Sequence, residues 1–394
     1  MFARLVTAVL FGALASAQDL GVPTSWREFS NNRSLSERIS IAQAGINVIA
    51  ANLDASTASF SGIGYWQNGN VFSAMANQDY FAKTTTYEST VVNALNTAYS
   101  LYANADQYGY NDDAMWWATA AYYAYRAYGN TDMLTHAIKT WQHVSAYQIT
   151  AAEASAGSTS VKNFSLSGTC DGKSMAGGVF WRPTIDDQGM NSITTGLFLT
   201  LSAYLASATG DTSTYLDPAI AAAQWIQNVN INSANIVLDS VNPHDCTRSS
   251  ASWLFTYNTG KFIEGLAVLS DVTGDSQWKT LMTDVVAAGT KNAPWQGTDG
   301  IITEAAGDTS NNDGAGFKAI YIRGLNEAFV RNQDDWDFQV LIHSYIDVQY
   351  NALLDLADNN NAYAIDWHGP ATSYTAWGQL AALDVLVSAI SANT

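Results

Sequence analysis

Hydrophobic positions along the chain recur mostly at three- and four-residue spacing, the period of an amphipathic helix. The pattern predicts helices over Ser36–Asp54, Glu88–Tyr102, Asp112–Tyr128, Asp132–Gln148 and Asn191–Ala208. It continues over Pro218–Gln227, Lys261–Val272, Gln277–Ala288, Lys318–Arg331, Trp336–Leu356 and Tyr374–Ile390. Few runs alternate with the period of two that a half-buried strand requires. Val161–Leu166 and Ile236–Val241 are the best of these, and both are short.

A weak repeat punctuates the helices. Gly129-Asn130, Gly210-Asp211 and Gly274-Asp275 each follow a hydrophobic run and precede a helix start. Glycine ends a helix in the left-handed conformation, and Asn or Asp caps the next one. Repeated helix hairpins suggest an open solenoid or a closed α/α toroid, and irregular repeats with long loops favour the closed form. No low-complexity linker divides the chain, so one domain is expected from Gln18 to the C-terminus. Residues Ala151 to Pro183 form the longest irregular stretch and are expected to be a functional rim.

Composition narrows the setting. The 394 residues carry a formal charge of −18, which repels nucleic acid and anionic membranes. Arg4, the apolar run Leu5–Leu14 and Ala15-Ser16-Ala17 read as a secretory signal cleaved before Gln18. The polar end Ser391-Ala392-Asn393-Thr394 lacks the apolar tail of a lipid-anchor signal, so an unanchored monomer is expected outside the cell or at its wall. The only cysteines, Cys170 and Cys246, are expected to bridge two loops in that oxidising setting. Asn32 and Asn163 head glycosylation acceptor triplets.

The candidate chemistry sits at Asn111-Asp112-Asp113-Ala114-Met115-Trp116-Trp117. Two carboxyls beside aromatic rings suit glycosidic-bond cleavage, in which one carboxyl protonates or attacks and the other does the complementary job. A purely structural reading also exists. Asn111 can cap a helix, and early acids favour its positive end. Asp186-Asp187 and Asp334-Asp335 show that such doublets are not rare here. The aromatic neighbours set the first doublet apart. His136 and His143, seven apart on a helix, are read as packing or surface residues, and Asn311-Asn312-Asp313-Gly314 lacks the spacing of a calcium loop. No metal and no cofactor is expected. HExxH, CxxC, GxSxG, P-loop and GxGxxG patterns are absent.

The segment Asn111–Ala118 resembles the catalytic signature of glycoside hydrolase family 76, α-1,6-mannanases and related fungal cell-wall enzymes. Further blocks follow in order. They are Gly177-Gly178-Val179-Phe180-Trp181, Asn191–Phe198, Trp253–Gly260, Asp299–Glu304, and Asp313 through Phe317–Arg323. Each is weak alone, and their ordered co-occurrence from about Trp66 to Arg323 is strong. Thr259 departs from a usual Gln, and Met190 from a frequent Lys. Both bear on subsite preference more than on activity.

The resemblance implies an all-α (α/α)6 barrel with a cleft at one end and a retaining mechanism. It also implies an α-1,6-linked mannan, or another mannose-containing wall glycan, as substrate. By position Asp112 would be the nucleophile and Asp113 the general acid/base. Trp66, Trp116, Trp117, Trp181 and Tyr257 are candidates to stack on sugar rings, although most of the 13 tryptophans must be core. Asn191, Asn258, Asp313 and Lys318 complete the expected substrate-binding set, with capping, turn formation or ion pairing as the plainer explanations. Lys318 and Arg323 are also candidates to pair with acids. An endo-acting mannosidase, a wall transglycosylase and a non-catalytic glycan-binding wall protein are the three readings. The intact aspartate pair weighs against the last. Adjacent helix residues diverge by about 100°, so the two acids can share one sugar only if it sits over the helix start.

Overall fold

The computed structural model describes residues 19–307 and 313–393. The segment expected to be a secretory signal and Asn311-Asn312 lie outside them. Six helices form a closed inner ring: α2 (Tyr65–Ala82), α4 (Asn111–Tyr128), α7 (Ser192–Thr209), α9 (Thr256–Thr273), α11 (Phe317–Arg331) and α13 (Ala376–Ala392). Each packs on the next, and α13 returns to α2. Outside them lie α1 (Leu35–Ala50), α3 (Glu88–Leu101), α5 (Thr131–Ser145), α8 (Thr212–Val229), α10 (Ser276–Gly289) and α12 (Trp336–Ala352). The short α6 (Ala151–Ala156) sits in the loop between α5 and α7. The protein is an (α/α)6 barrel.

Inner and outer helices differ in sequence because they differ in surroundings. In outer α5 only Met133, Ala137, Thr140, Trp141 and Val144 are buried, a single stripe at helical spacing. In α7 every residue from Ser192 to Ala206 is buried. Helix α2 was not predicted for the same reason. Its buried positions include Gln67, Asn68, Asn70, Ser73, Asn77, Gln78 and Asp79, so no apolar stripe marks it. These polar groups are tolerated where they find partners, as Asn70 does with Arg323 at 2.7 Å and Asp79 with the Tyr87 amide at 2.7 Å.

The glycine repeat marks the turns from inner to outer helix. Gly129, Gly210 and Gly274 end α4, α7 and α9 with φ between 66° and 71°. Asn130, Asp211 and Asp275 then cap α5, α8 and α10. These tight turns make one end of the barrel. The long outer-to-inner loops make the other, and the first turns of the inner helices point into it.

Several boundaries move. Helix α1 stops at Ala50, and Leu53–Asp54 pairs instead with Ser59–Phe60 in a two-residue hairpin. Helix α8 begins at Thr212, ahead of Pro218. Pro218 cannot donate to the Thr214 carbonyl, a loss tolerated because Thr214 is exposed. Neither predicted strand forms. Residues 161–166 run as irregular loop, and around 236–241 only single bridges occur, Val237 with Ile231, Ser240 with Asn191 and Val241 with Arg248. Both segments are loop walls that bury a few apolar residues, Leu166 in the first and Ile236, Val237 and Val241 in the second, without a partner strand. Cys170 and Cys246 are bonded, joining the loop before α7 to the loop before α9. Asn32 and Asn163 are exposed.

The barrel interior carries paired charges. Arg323 of α11 makes two bonds to Asp384 of α13, at 2.9 and 2.7 Å, with both side chains at most 5% exposed. Removing one member of such a pair strands the other in low dielectric. Arg323→Ala should therefore lower unfolding free energy by about 3–5 kcal/mol. Lys279→Ala, which breaks an exposed pair with Asp334, should cost less than about 1 kcal/mol. Denaturant melts of both variants check the contrast.

Candidate active site

A cleft of about 880 Å³ opens over the inner-helix starts. Its aromatic floor is continuous. The Trp116 ring lies 5.5 Å from Trp66, Trp66 5.9 Å from Phe317, and Phe317 stacks on Tyr257 at 3.8 Å. Trp181 and Trp253 rise at the rim, 36% and 51% exposed. Five carboxyls line the same space: Asp112, Asp113, Asp239, Glu304 and Asp313. No lysine or arginine among the described residues joins them.

Asp112 and Asp113 occupy the first turn of α4. The expected cap at Asn111 does not form; Tyr110 is the cap position and its side chain makes no capping bond. Asn111 instead turns into the protein, donating from Nδ2 to the Phe180 carbonyl at 2.8 Å, while its amide donates to the Trp181 carbonyl at 2.8 Å. The helix start is thus stitched to the Phe180–Trp181 segment, which leaves its first turn open to the cleft.

The two carboxyls differ in their partners. Asp112 accepts the Asp113 amide at 2.9 Å, and the neighbouring Trp181 side chain also favours its charged form. Asp113 has no hydrogen-bond donor among the described residues, and the charges of Asp112, Asp313 and Asp106 oppose its ionisation. Burial is the largest influence on both and pushes both well above the usual carboxylate range. Donors favour the charged form of Asp112, and their absence favours a proton on Asp113. The pair is therefore suited to hold one proton, with the negative charge on Asp112.

Other expected residues fall on either side of the cleft wall. Trp66, Trp116, Trp181, Asn191, Tyr257 and Asp313 line it. Trp66 donates from Nε1 to Asp313 at 2.9 Å, and Asn191 caps α7 by accepting the Thr194 amide at 3.0 Å. Trp117, Asn258 and Lys318 do not line it. Trp117, turned by about 100° from Trp116 around α4, faces away from the cleft and donates from Nε1 to the Tyr65 carbonyl at 3.2 Å. Asn258 stands behind the wall and donates to Asp239 at 3.1 Å. Lys318 is buried against the Trp367 ring and donates to the Ile365 carbonyl.

Asp239 and Glu304 were not singled out from the sequence. Burial raises Asp239, against bonds from Asn258 and Ser240. Burial pushes Glu304 up to about 7, against its bonds from Thr256 and the nearby Lys318 charge. Glu304 lay inside a recognised block, but Asp239 sits in a segment read as strand, with no signal of its own.

Residues 51–394 match the description glycosyl hydrolase family 76. The chain belongs to that family. It is 31% identical over 164 residues to mannan endo-1,6-alpha-mannosidase DCW1 of Saccharomyces cerevisiae, covering 39% of this chain and 35% of that protein. Identity to DCW1 of Candida glabrata is 24% over 276 residues, 66% of this chain and 57% of that one. The match therefore spans about a third to just over a half of these curated relatives. Among solved structures, the fold is similar to an inactive variant of an alpha-1,6-mannanase from Salegentibacter sp. HEL1_6 in complex with alpha-1,6-mannotriose. That similarity has a TM-score of 0.74 at 15% identity, over 91% of this chain and 100% of that one. Dfg5 from Chaetomium thermophilum in complex with glucosamine gives 0.64 at 15% identity, over 93% and 91%.

For this family member the pair's electrostatics carry a stability consequence. Folded pKa values above the unfolded ones mean that the native state binds extra protons, so stability falls as pH rises through that interval. Asp113→Asn removes that penalty. Its melting temperature should match wild type near pH 4 and exceed it increasingly toward neutrality, which a series of thermal melts across pH would show.

Proposed function

We propose that the chain is a secreted, retaining glycoside hydrolase that cleaves α-1,6-mannosidic bonds within mannan. The observation that carries this is the unequal environment of two adjacent carboxyls at an open helix start, above an aromatic floor. The Asp112 carboxylate attacks the anomeric carbon as Asp113 gives its proton to the departing glycosidic oxygen. A glycosyl ester on Asp112 results. Asp113, now a carboxylate, takes a proton from water, whose oxygen attacks the same carbon and releases Asp112. Trp66, Trp116 and Tyr257 offer ring faces and edges to the sugar, and Asp239, Asp313 and Asn191 offer polar groups to its hydroxyls.

The relatives support the substrate class. Those curated relatives are mannan endo-1,6-alpha-mannosidases, and the Salegentibacter mannanase was made inactive by replacing two adjacent aspartates with asparagine. The leader-like start and the Cys170–Cys246 bond support secretion. An acceptor sugar hydroxyl in place of water would turn the same intermediate to transglycosylation.

On linear α-1,6-mannan, Asp113→Asn should lower turnover by about 10²–10⁴-fold, the usual worth of a positioned acid/base. Asp112→Asn should lower it at least as much, with both variants folded, while Asp334→Asn stays near wild type. Near-normal turnover in either cleft variant would sink the assignment. Absence of any wild-type turnover, with retained mannan binding, would mean a glycan-binding protein. Adding an acceptor glycan and weighing the products separates hydrolysis from transfer.

The stereochemical outcome tests the mechanism separately. A retaining pair stands about 5–5.5 Å apart, against about 6.5–9.5 Å for an inverting pair that must admit water. NMR of the earliest product should show the α-anomer before mutarotation. A β-anomer first would remove Asp112 as nucleophile.

A further inference from the structure

Trp253 leaves 51% of its surface in water although it stands inside a concavity. A single exposed aromatic needs no explanation by itself. Trp336 is such a case, 77% exposed at the start of α12, on the tight-turn end of the barrel. Trp253 differs because its backbone is held. Its amide donates to the Ser250 carbonyl at 2.9 Å. The Leu254 carbonyl accepts the indole N–H of Trp295, a fully buried side chain. Thr256, which opens α9, donates its amide to Glu304 at 2.9 Å. The chain on either side of Trp253 is therefore fixed, yet its indole N–H has no hydrogen-bond partner among the described residues.

The Trp253 ring continues the cleft floor. It lies 6.2 Å from Phe255, and Phe255 lies 5.4 Å from Phe317. Phe317 joins Trp66 at 5.9 Å, and Trp66 joins Trp116. One aromatic run thus passes from the helix that bears the aspartate pair to the rim before α9. In the ring of inner helices α7 stands between α4 and α9. Trp253 therefore rises away from the α4 start, over which the reacting sugar sits. An indole offers an apolar face and one N–H donor. A pyranose offers the matching pair, a face of C–H groups and a rim of hydroxyls.

We propose that Trp253 is a specificity-determining residue, a platform for one mannose unit of the α-1,6-linked chain beyond the reacting sugar, so that the cleft favours long chains over short ones. This rests on the reading of the cleft as a mannan site. The occupant is a further unit of the same chain because the floor is continuous from one place to the other.

The test is calorimetric titration with linear α-1,6-mannooligosaccharides of increasing length, in Asp113→Asn protein with and without Trp253→Ala. Mannobiose should bind both equally. From one chain length upward, Trp253→Ala should weaken binding by about tenfold, the upper end of what one aromatic contact contributes. Trp253→Phe, which keeps a ring, should recover part of that loss, and Trp253→Leu, which keeps only apolar bulk, should not. Trp336→Ala should bind every length as the parent does. In the active protein, Trp253→Ala should raise KM for long chains and leave kcat near wild type. An equal loss at every length would mean a distorted cleft and would overturn the proposal. So would no loss at any length, or full recovery with Trp253→Leu. Length-dependent binding without wild-type turnover would remove the proposed reaction and leave the platform standing. Turnover of mannan with no effect of Trp253→Ala would do the reverse.

Discussion

The barrel depends on satisfying polar groups on helices that have no wet face. An inner helix is surrounded by protein, so the charges it carries must find partners on their own helix or its neighbours. Arg323 bonds Asp384 and Asn70, tying α11 to α13 and α2. Glu264 of α9 accepts Lys261 at 2.9 Å and Tyr204 of α7 at 3.0 Å, and also bonds Tyr123 of α4. Glu327 accepts Arg126 of α4 and Arg331. Hydrophobic burial supplies most of the driving force, but it is indifferent to helix rotation. These directional pairs fix how each inner helix is turned, and so which residues of its first turn face the cleft.

The two ends of the barrel treat charge in opposite ways. Near the axis, carboxylates have guanidinium or ammonium partners. In the cleft, Asp113 has neither a donor nor a cation among the described residues, and its neighbours are acids. That arrangement is unfavourable for stability and useful for chemistry, because it keeps a proton available near neutral pH. Aromatic rings complete the contrast. Trp117 and Trp116 are consecutive, yet the first is spent on packing and the second forms the cleft floor. Lys261 beneath Trp116, 5.7 Å from its ring, links the ionic interior to that floor.

Local chemistry recorded in the sequence survived into the structure wherever a short segment sufficed. The Gly-Asn and Gly-Asp turns are examples, since a left-handed helix end and its following cap are local events. The outer helices were legible through their single apolar stripe. Helix α2 was not, because a helix wetted nowhere and lined with Asn and Gln has no stripe to read. Asn111 shows the opposite failure. Its local role as a cap was reasonable, but the Phe180 carbonyl, distant in sequence, claimed its side chain.

The sequence by itself determined the all-helical class, the hairpin repeat, the aspartate pair, the cysteine pair and, through its ordered motifs, the family. All of these are carried by periodicity or by residues close together in the chain. Only the tertiary structure decided that Trp116 faces the cleft while Trp117, Asn258 and Lys318 do not. It alone brought Asp239, Glu304 and Asp313 around the pair. The physical reason is that burial and electrostatic environment are sums over neighbours from many helices. No run of residues encodes such a sum, which exists only once the ring has closed.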